Sequence, residues 1–381
     1  SDKNNFKIPF GKVHIGAYGL DMLEEVALSG NVTEGELTEK FEKLFAVKFG
    51  WKHAIATSSG TDAGIVVWSA IRELIGRPYF ESPYIVTPAC AFVATANCLL
   101  AAGLMPHFQD IDLDTLNLRP EVTLEGCMGL QFVAQMGSLR PLDKIAELVF
   151  IKNTGGMYFV VDACEAHGAV YPYSINNVDA AIYSLYPAHL CVGVEGGVIC
   201  TNDEQISNLC RSIKSHGRPP WKIEFDFQRV GYNSKWSDLH AAVALDSLDR
   251  FDETFKKRRE VRAALIEELS RFEDDLFLYR DRPGETIAPH AFPIVLSDEK
   301  KEIAPLFKHL VDAGIETKSL FGSLPTQHGA FKFLGHTLGD FPVAERVGRT
   351  GLHFSCAEYI TLEDVKYIGA TIESYLTRIA K

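Results

Sequence analysis

The sequence has neither closely spaced cysteines nor a long uninterrupted apolar run. Its eight cysteines stand singly, without the close pairs of a zinc or iron–sulfur site, and no C-x-C pair occurs. We therefore expect no metal site, and reduced, buried thiols in a cytoplasmic protein. The longest apolar stretch, residues 89–105, is interrupted by Thr95 and Asn97, which favours a buried helix over a membrane span.

Positive charge is also scarce. The chain has 38 Lys and Arg against 50 Asp and Glu, a net charge of -12. Such a chain has no general attraction to nucleic acid or to an anionic membrane, so we expect neither as a partner. The first twelve residues also lack the apolar core of a signal peptide. Any phosphate-bearing ligand must therefore be held by a local site.

What the sequence does contain is an alternation of strand-like and helical segments. The 381 residues exceed the usual size of one hydrophobic core. Up to about residue 250, short apolar runs separated by helices predict an α/β domain with a mostly parallel sheet. Beyond it, a long charged helix, the strand "HAFPIVLS", two more helices and a late strand near "GLHFS" predict a small α+β domain. The predicted domains are residues 1–250 and 251–381.

Two short motifs carry candidate chemistry. In "TSSGTDAG", Gly60 allows a tight turn, and the next helix begins with unpaired amides beside the hydroxyl of Thr61. This is either a phosphate cradle or a simple helix cap. In "VVDACEAHGA", Asp162 ends a buried strand, where it could pair with a protonated pyridine nitrogen or cap the next turn. Ser184 ends another strand, and His189 follows it in "YSLYPAHLCVGVEGG".

Six stretches make the chain resemble one family over nearly its whole length. They are "SGNVTEGELTEKFEKLFAVKFG", "SSGTDAG", "TPACAFVATANCLLAAGLMPHFQDIDLDTLNL", "VVDACEAHGA", "SLYPAHLCVGVEGG" and "GYNSKWSDLHAAVAL". In order and spacing these resemble the DegT-type sugar aminotransferases, which are pyridoxal 5'-phosphate (PLP) proteins of the aspartate aminotransferase fold. The resemblance implies the α/β type I fold of PLP-dependent transferases.

The resemblance also implies roles for residues around the cofactor. Phe92 would lie against the cofactor ring, and Asp162 would meet its pyridine nitrogen. Glu165 stands where many members have Gln or a small hydroxyl residue near the phenolic oxygen. The residues that would bind the phosphate are Gly60, Thr61, Ser184 and, from the neighbouring subunit, Asn233. A residue shared in this way implies a homodimer with shared active sites.

His189 departs from the family pattern, which normally has a lysine that forms a Schiff base with PLP. Imidazole cannot form that bond, so the resemblance implies non-covalent pyridoxamine 5'-phosphate (PMP) and a histidine that carries protons. The branch with this replacement is the nucleotide-sugar 3-dehydratases, such as the GDP-4-keto-6-deoxy-D-mannose 3-dehydratases. The segment "GIETKSLFGSLPTQ" at 314–327 and the spacing of His216 from His189 resemble that branch as well.

The resemblance therefore implies a 3-dehydratase that removes the 3-hydroxyl of a nucleotide-linked 4-keto-6-deoxy sugar, with glutamate as amino donor. His189 would be both base and acid, and His216 would lie at the substrate. Arg218 could bind a nucleotide diphosphate or be a solvated loop arginine. The related iron–sulfur 3-dehydrases carry a C-x-C pair that this chain lacks.

Four alternatives stay open at this point, one of which is that His189 was introduced in place of a natural lysine. His189 could be a packed histidine in a protein that has lost catalysis. The protein could be a nucleotide-sugar aminotransferase that uses another lysine, such as Lys235. It could also be a non-catalytic ligand-binding protein on the same scaffold, which would bind the cofactor without turnover.

Overall fold

The larger of two sheets is built from seven short apolar strands. The computed structural model describes residues 6–76, 81–152, 156–219 and 226–379. The strands are β1 (His53–Thr57), β2 (Tyr84–Pro88), β3 (Met105–Gln109), β4 (Cys127–Val133), β5 (Tyr158–Asp162), β6 (Ala180–Ser184) and β7 (Gly197–Thr201). They lie in the order β1-β7-β6-β5-β4-β2-β3. β7 runs opposite to the other six strands, which are parallel to one another, and this confirms the predicted mostly parallel sheet.

Both faces of this sheet are buried, as continuous apolar runs predict. In β5, Phe159 and Val161 join one apolar cluster, while Val160 between them joins the cluster on the opposite face. The helices of this half of the chain are α1 (Ala17–Ser29), α2 (Glu36–Phe49), α3 (Gly60–Ile75), α4 (Val93–Ala101), α5 (Leu142–Lys152), α6 (Glu204–Ile213) and α7 (Asp238–Asp249). Helix α3 packs against α4, α6, β6 and β7, whereas α7 packs against α1 and α2.

The second sheet has four antiparallel strands in the order β10-β11-β9-β8. Its strands are β8 (Leu276–Leu278), β9 (Ala291–Leu296), β10 (Thr317–Ser319) and β11 (Gly351–Ser355). The helices of this part are α8 (Phe251–Leu269), α9 (Ala304–Asp312), α10 (Leu324–Gln327), α11 (Pro342–Thr350) and α12 (Leu362–Ile379). The sequence predicted β9 and β11. It missed β8 and β10, whose three residues are too short to show an alternating pattern.

The second sheet has its own apolar core, while the domain boundary at residue 250 stays a prediction. Leu265 of α8, Ile294 of β9 and Ile368 of α12 belong to this core. The side chain of Ile8 belongs to it too. Backbone hydrogen bonds hold this residue in place: its amide donates to Gly314 O at 3.0 Å, and its carbonyl oxygen accepts from the Glu316 amide at 2.9 Å. The first described residues thus pack with the second sheet. Within the described ranges, no helix is both long enough and apolar enough for a membrane span.

Candidate functional site

A cavity of about 340 Å³ opens at the carboxyl edge of the parallel strands. Asp162 and Ser184, the last residues of β5 and β6, form its wall on the side of the large sheet. The other wall comes from the second sheet, with Lys318 of β10 and His353 of β11. A crevice at the carboxyl ends of parallel strands is the usual ligand position in open α/β sheets. Of the ten site residues predicted from the sequence, those that line the cavity are Gly60, Thr61, Phe92, Asp162, Glu165, Ser184 and His189.

The beginning of α3 forms one end of the cavity. The side chain of Ser59 caps the helix by accepting from the Asp62 amide at 3.0 Å. The preceding amides, those of Gly60 and Thr61, have no partner within the helix and belong to residues that line the cavity. Close packing holds this turn in place. A Cβ on Gly60 would lie 2.9 Å from Ser184 Cβ, and one on Gly197 would lie 2.3 Å from Ser59 O. Glycine at both positions lets the helix start approach β6 and β7, which creates a cradle for an anion.

Asp162 places a half-buried carboxylate in the cavity wall. Its Oδ2 accepts from the Thr95 hydroxyl at 2.9 Å, and its Oδ1 accepts from the Cys164 amide at 3.3 Å. Burial nevertheless raises the pKa of Asp162 above its ordinary value. A cationic ring nitrogen beside it would offset that burial. The sequence analysis missed the role of Thr95, although a hydroxyl residue in an otherwise apolar helix was the available signal.

The side chain of Glu165 is only 14% exposed, although its position just after a strand suggests a more exposed side chain. Its Oε2 accepts from the Met136 amide at 2.6 Å, and its Oε1 lies 3.4 Å from Nε2 of His290. Burial raises the pKa of Glu165 to about 8, and the charge of Asp162 adds to this rise. Phe92 is 56% exposed and lies at the start of α4, where its ring lines the cavity and contacts Phe321 with centroids 5.7 Å apart.

His189 lies in the cavity wall where a Schiff-base lysine was expected for the family. Its Nδ1 is buried and has no hydrogen-bond partner among the residues that the structure describes. Its ring stacks on His290, with centroids 4.8 Å apart and planes at 25°. Burial, together with the charges of Arg258 and Lys318, lowers the pKa of His189 to about 3. His189 is therefore an uncharged imidazole before any ligand binds.

The cavity contains residues that the sequence analysis did not single out. The described lining residues include one lysine, Lys318, whose Nζ lies 4.1 Å from the centre of the Phe10 ring. His290 and His353 also line the cavity. These residues come from segments far from the strand-end motifs. The segment 314–327, which the sequence analysis quoted for its resemblance to the 3-dehydratases, contains Lys318 and was the signal for this wall of the cavity.

The structure places the remaining predicted site residues outside this cavity, together on one surface. Asn233 Oδ1 accepts from Lys235 Nζ at 2.6 Å, and that Nζ lies 3.4 Å from His216 Nε2. Arg218 donates to Ser215 Oγ at 3.3 Å. Part of the neighbouring loop, residues 220–225, lies outside the described residues. Lys235 therefore does not enter the cavity of its own chain.

The residues present fit PLP or PMP. The anion cradle suits a phosphate, the exposed face of Phe92 suits an aromatic ring, and the half-buried Asp162 suits a protonated ring nitrogen. The unpartnered Nδ1 of His189 adds a polar atom that a packed histidine would normally satisfy.

Known proteins resemble the chain over most of its length. It is 29% identical, over 84% of its residues and 75% of the relative's, to the dTDP-4-dehydro-2,6-dideoxy-D-glucose 3-dehydratase of Saccharopolyspora spinosa. It is 25% identical, over 98% of its residues and 99% of the relative's, to the UDP-4-amino-4,6-dideoxy-N-acetyl-beta-L-altrosamine transaminase of Campylobacter jejuni (serotype O:2).

A solved structure of the E. coli GDP-4-keto-6-deoxy-D-mannose-3-dehydratase with bound hydrated PLP superposes with a TM-score of 0.86. The two chains are 21% identical, and the match covers 96% of this chain and 99% of that one. This match confirms the predicted fold of PLP-dependent aminotransferases. That neighbour holds hydrated PLP.

One family model spans the chain from residue 14 to residue 373, including the helix cradle, Asp162 and His189. Its description is the DegT/DnrJ/EryC1/StrS aminotransferase family. Because the match covers most of the sequence, the chain belongs to the DegT/DnrJ/EryC1/StrS aminotransferase family.

Proposed function

We propose that the protein is a PMP/PLP-dependent nucleotide-sugar 3-dehydratase in which His189 is the acid and base. The observation that carries the proposal is a histidine in the cavity wall with an unpartnered Nδ1, at the position where the family resemblance leads one to expect a lysine. The 3-dehydratases among its relatives support the same activity. The proposed substrate is a nucleotide-linked 4-keto-6-deoxy sugar that loses its 3-hydroxyl.

The residues proposed to bind the cofactor contact different parts of it. Gly60, Thr61 and Ser184 bind the cofactor phosphate at the beginning of α3. Asp162, held by the Thr95 hydroxyl, keeps a proton on the ring nitrogen. When bound, the cofactor supplies an amine that condenses with the 4-keto group and a ring that accepts electrons.

His189 moves the proton of the reaction. A ring nitrogen of His189 removes a proton at the aminomethyl carbon of the cofactor, and the resulting imidazolium then protonates the departing 3-hydroxyl. A low pKa of His189 favours release of that proton to the leaving group and makes the imidazole a weak base before the cofactor binds. Phe92 covers one face of the site, and the second sheet closes the other wall against water.

We further propose that the active protein is a homodimer with shared sites. Asn233, His216 and Arg218 stand together outside the cavity of their own chain. In a dimer, this surface would reach the neighbouring cavity, with Asn233 at the phosphate and the other two residues at the nucleotide sugar. Glutamate would restore the amine of the cofactor between turnovers.

The alternative function is a nucleotide-sugar aminotransferase, which the transaminase relative favours. It requires a lysine at the cofactor. The described lining residues offer Lys318, and a partner chain would offer Lys235. A non-catalytic cofactor-binding protein is the third possibility, and it would bind PMP without releasing product.

The deciding experiment is an absorbance spectrum with PLP, before and after glutamate, followed by borohydride trapping and mass spectrometry. We expect no lysine adduct, conversion to PMP with glutamate, and ammonia release with a 4-keto-6-deoxy nucleotide sugar. The His189→Lys variant is the positive control for an adduct. A trapped lysine in the natural chain would support the aminotransferase. PMP binding without ammonia release would support the non-catalytic protein.

A further inference from the structure

One charged side chain in the cavity wall has no counter-ion. Lys318 is the only Lys or Arg among the described residues that line the cavity, whereas Asp162, Glu165 and Glu195 line it as well. No carboxylate of the described chain lies within ion-pair distance of Lys318 Nζ, which instead lies 4.1 Å from the centre of the Phe10 ring. The side chain is exposed, so a ligand can reach it. An unpaired ammonium group in a cavity with several carboxyl groups is available to a negatively charged ligand.

Phe10 holds this ammonium group in place. Phe10 is 5% exposed, and its amide donates to Oε2 of Glu316 at 2.6 Å. The ring is therefore fixed beside β10, and its face attracts the ammonium of Lys318 electrostatically. Glu316, two residues before Lys318, thus uses a carboxylate oxygen on the backbone of Phe10. A cation that is positioned before the ligand arrives loses less conformational freedom when the ligand binds.

His353 is the neighbour of Lys318 across the second sheet. The two residues are paired in the register of β10 and β11, so their side chains project from the same face of the sheet. The ring of His353 is 3% exposed and lies 5.4 Å from that of Phe10 between centroids. Its Nδ1 is buried and has no partner in the described part of the chain, which leaves Nε2 as the nitrogen that a ligand in the cavity can reach. An ammonium beside an imidazole with its proton on Nε2 offers one donor to each oxygen of a carboxylate.

These two donors lie on the side of the proton-carrying histidine rather than at the phosphate cradle. The cradle belongs to α3 and the large sheet, whereas Lys318 and His353 come from the second sheet. The ring of Phe10 lies 6.3 Å from that of His290, which stacks on His189. In an amino acid, the α-carboxylate is attached to the carbon that carries the amine. A donor whose amine reaches the cofactor near His189 therefore places this carboxylate in the same part of the cavity.

We propose that Lys318, with His353 beside it, binds the α-carboxylate of the amino donor that restores PMP. The inference rests on the proposed function and deepens it, because it names the residue that recognises glutamate. Lys318 is then a binding residue for the donor and not the lysine of a Schiff base. A single ammonium group suits one carboxylate, whereas the diphosphate of a nucleotide sugar carries more charge than this wall can offset.

Binding is tested on the PLP-loaded, full-length protein with 2-oxoglutarate. This keto acid keeps the carboxylates of glutamate but has no amine that could react with PLP. Calorimetry should give at least about tenfold weaker binding for Lys318→Met than for the natural chain, and Lys318→Arg should restore most of the affinity. The matched control is Lys7→Met, since Lys7 Nζ also lies over an aromatic ring, 3.3 Å from the centre of Tyr367, but outside this cavity. No binding by the natural chain, or equal affinity in Lys318→Met, would overturn the proposal.

The two halves of the reaction separate the donor from the sugar. In single-turnover measurements, Lys318→Met should need at least about tenfold more glutamate for half-maximal conversion of PLP to PMP. Ammonia release from the PMP-loaded variant with the sugar should fall by a clearly smaller factor, and Lys7→Met should change neither half. Equal losses in both halves, or PLP trapped on Lys318 by borohydride, would refute the assignment. If 2-oxoglutarate binds through Lys318 but the natural chain releases no ammonia, the carboxylate site stands and the dehydratase function fails.

Discussion

Lowering the pH from about 7 to about 5 should weaken the folded state, because this protein buries uncharged histidines. Burial, followed by nearby positive charge, lowers the pKa of His189 and of His353 to about 3. An unfolded chain has histidines with a pKa of about 6.5. Below that value the unfolded state binds more protons than the folded state. Stability is therefore lost as the pH falls through about 6.5, and the loss ends only near pH 3.

The size of the effect follows from these values. One pKa unit corresponds to about 1.4 kcal/mol, so at pH 5 each such histidine costs about 2 kcal/mol of unfolding free energy. His189 and His353 together cost about 4 kcal/mol, a large share of the roughly 5–15 kcal/mol of a typical folded protein. Burial also lowers the pKa of His167 and His290, and these act in the same direction.

The assay is urea unfolding at both pH values for the natural chain and for His353→Phe. Phenylalanine suits the position because the ring of His353 lies among aromatic neighbours, 5.4 Å from Phe10 and 6.0 Å from Phe321 between centroids. The variant should lose about 2 kcal/mol less on acidification than the natural chain. Changing the exposed His14 to Gln should leave the natural loss unchanged.

Comparing losses between variants removes the contribution of carboxylates, which is common to all three proteins. Equal losses in the natural chain and in His353→Phe would refute the reasoning, since they would mean that His353 takes up a proton as readily in the folded state as in the unfolded state.

Three further outcomes are expected. Gly60→Ala should weaken PLP binding at least about tenfold in a fluorescence titration, because the added Cβ would lie 2.9 Å from Ser184 Cβ at the end of β6. The control Gly329→Ala, where the added Cβ meets open space, should leave PLP binding unchanged. Thr95→Val should cost about 1–3 kcal/mol of PLP binding by removing the donor to the half-buried carboxylate, and Thr95→Ser should restore it. Mixing inactive His189→Asn and Asn233→Ala chains should recover about a quarter of full activity through hybrid dimers, and no recovery would contradict shared sites.

The large sheet and half of the site were predictable because their signals are local. Gly60, Asp162 and Ser184 each lie at the end of a strand or the beginning of a helix, and a parallel sheet brings such ends to one edge. Burial of β5 on both faces also follows from its run of apolar residues. The family resemblance then gave these positions their expected roles.

The remaining part of the site depends on tertiary packing that no local pattern encodes. His290 and Lys318 reach the cavity because the second sheet packs against the first, more than a hundred residues away in sequence from His189. The contact of Glu165 with His290 has the same origin. Thr95 was read as an interruption of an apolar run, although its hydroxyl serves Asp162.

The beginning of the described chain bears on both the cavity and the second sheet. Ile8 is bonded to the segment before β10, and Phe10, two residues later, lines the cavity beneath Lys318. A substitution at Phe10 would therefore act on ligand binding directly, from a segment that no strand-end motif of the large sheet contains. A substitution at Ile8 would act on the core of the second sheet and, through it, on the position of Lys318 in the cavity wall.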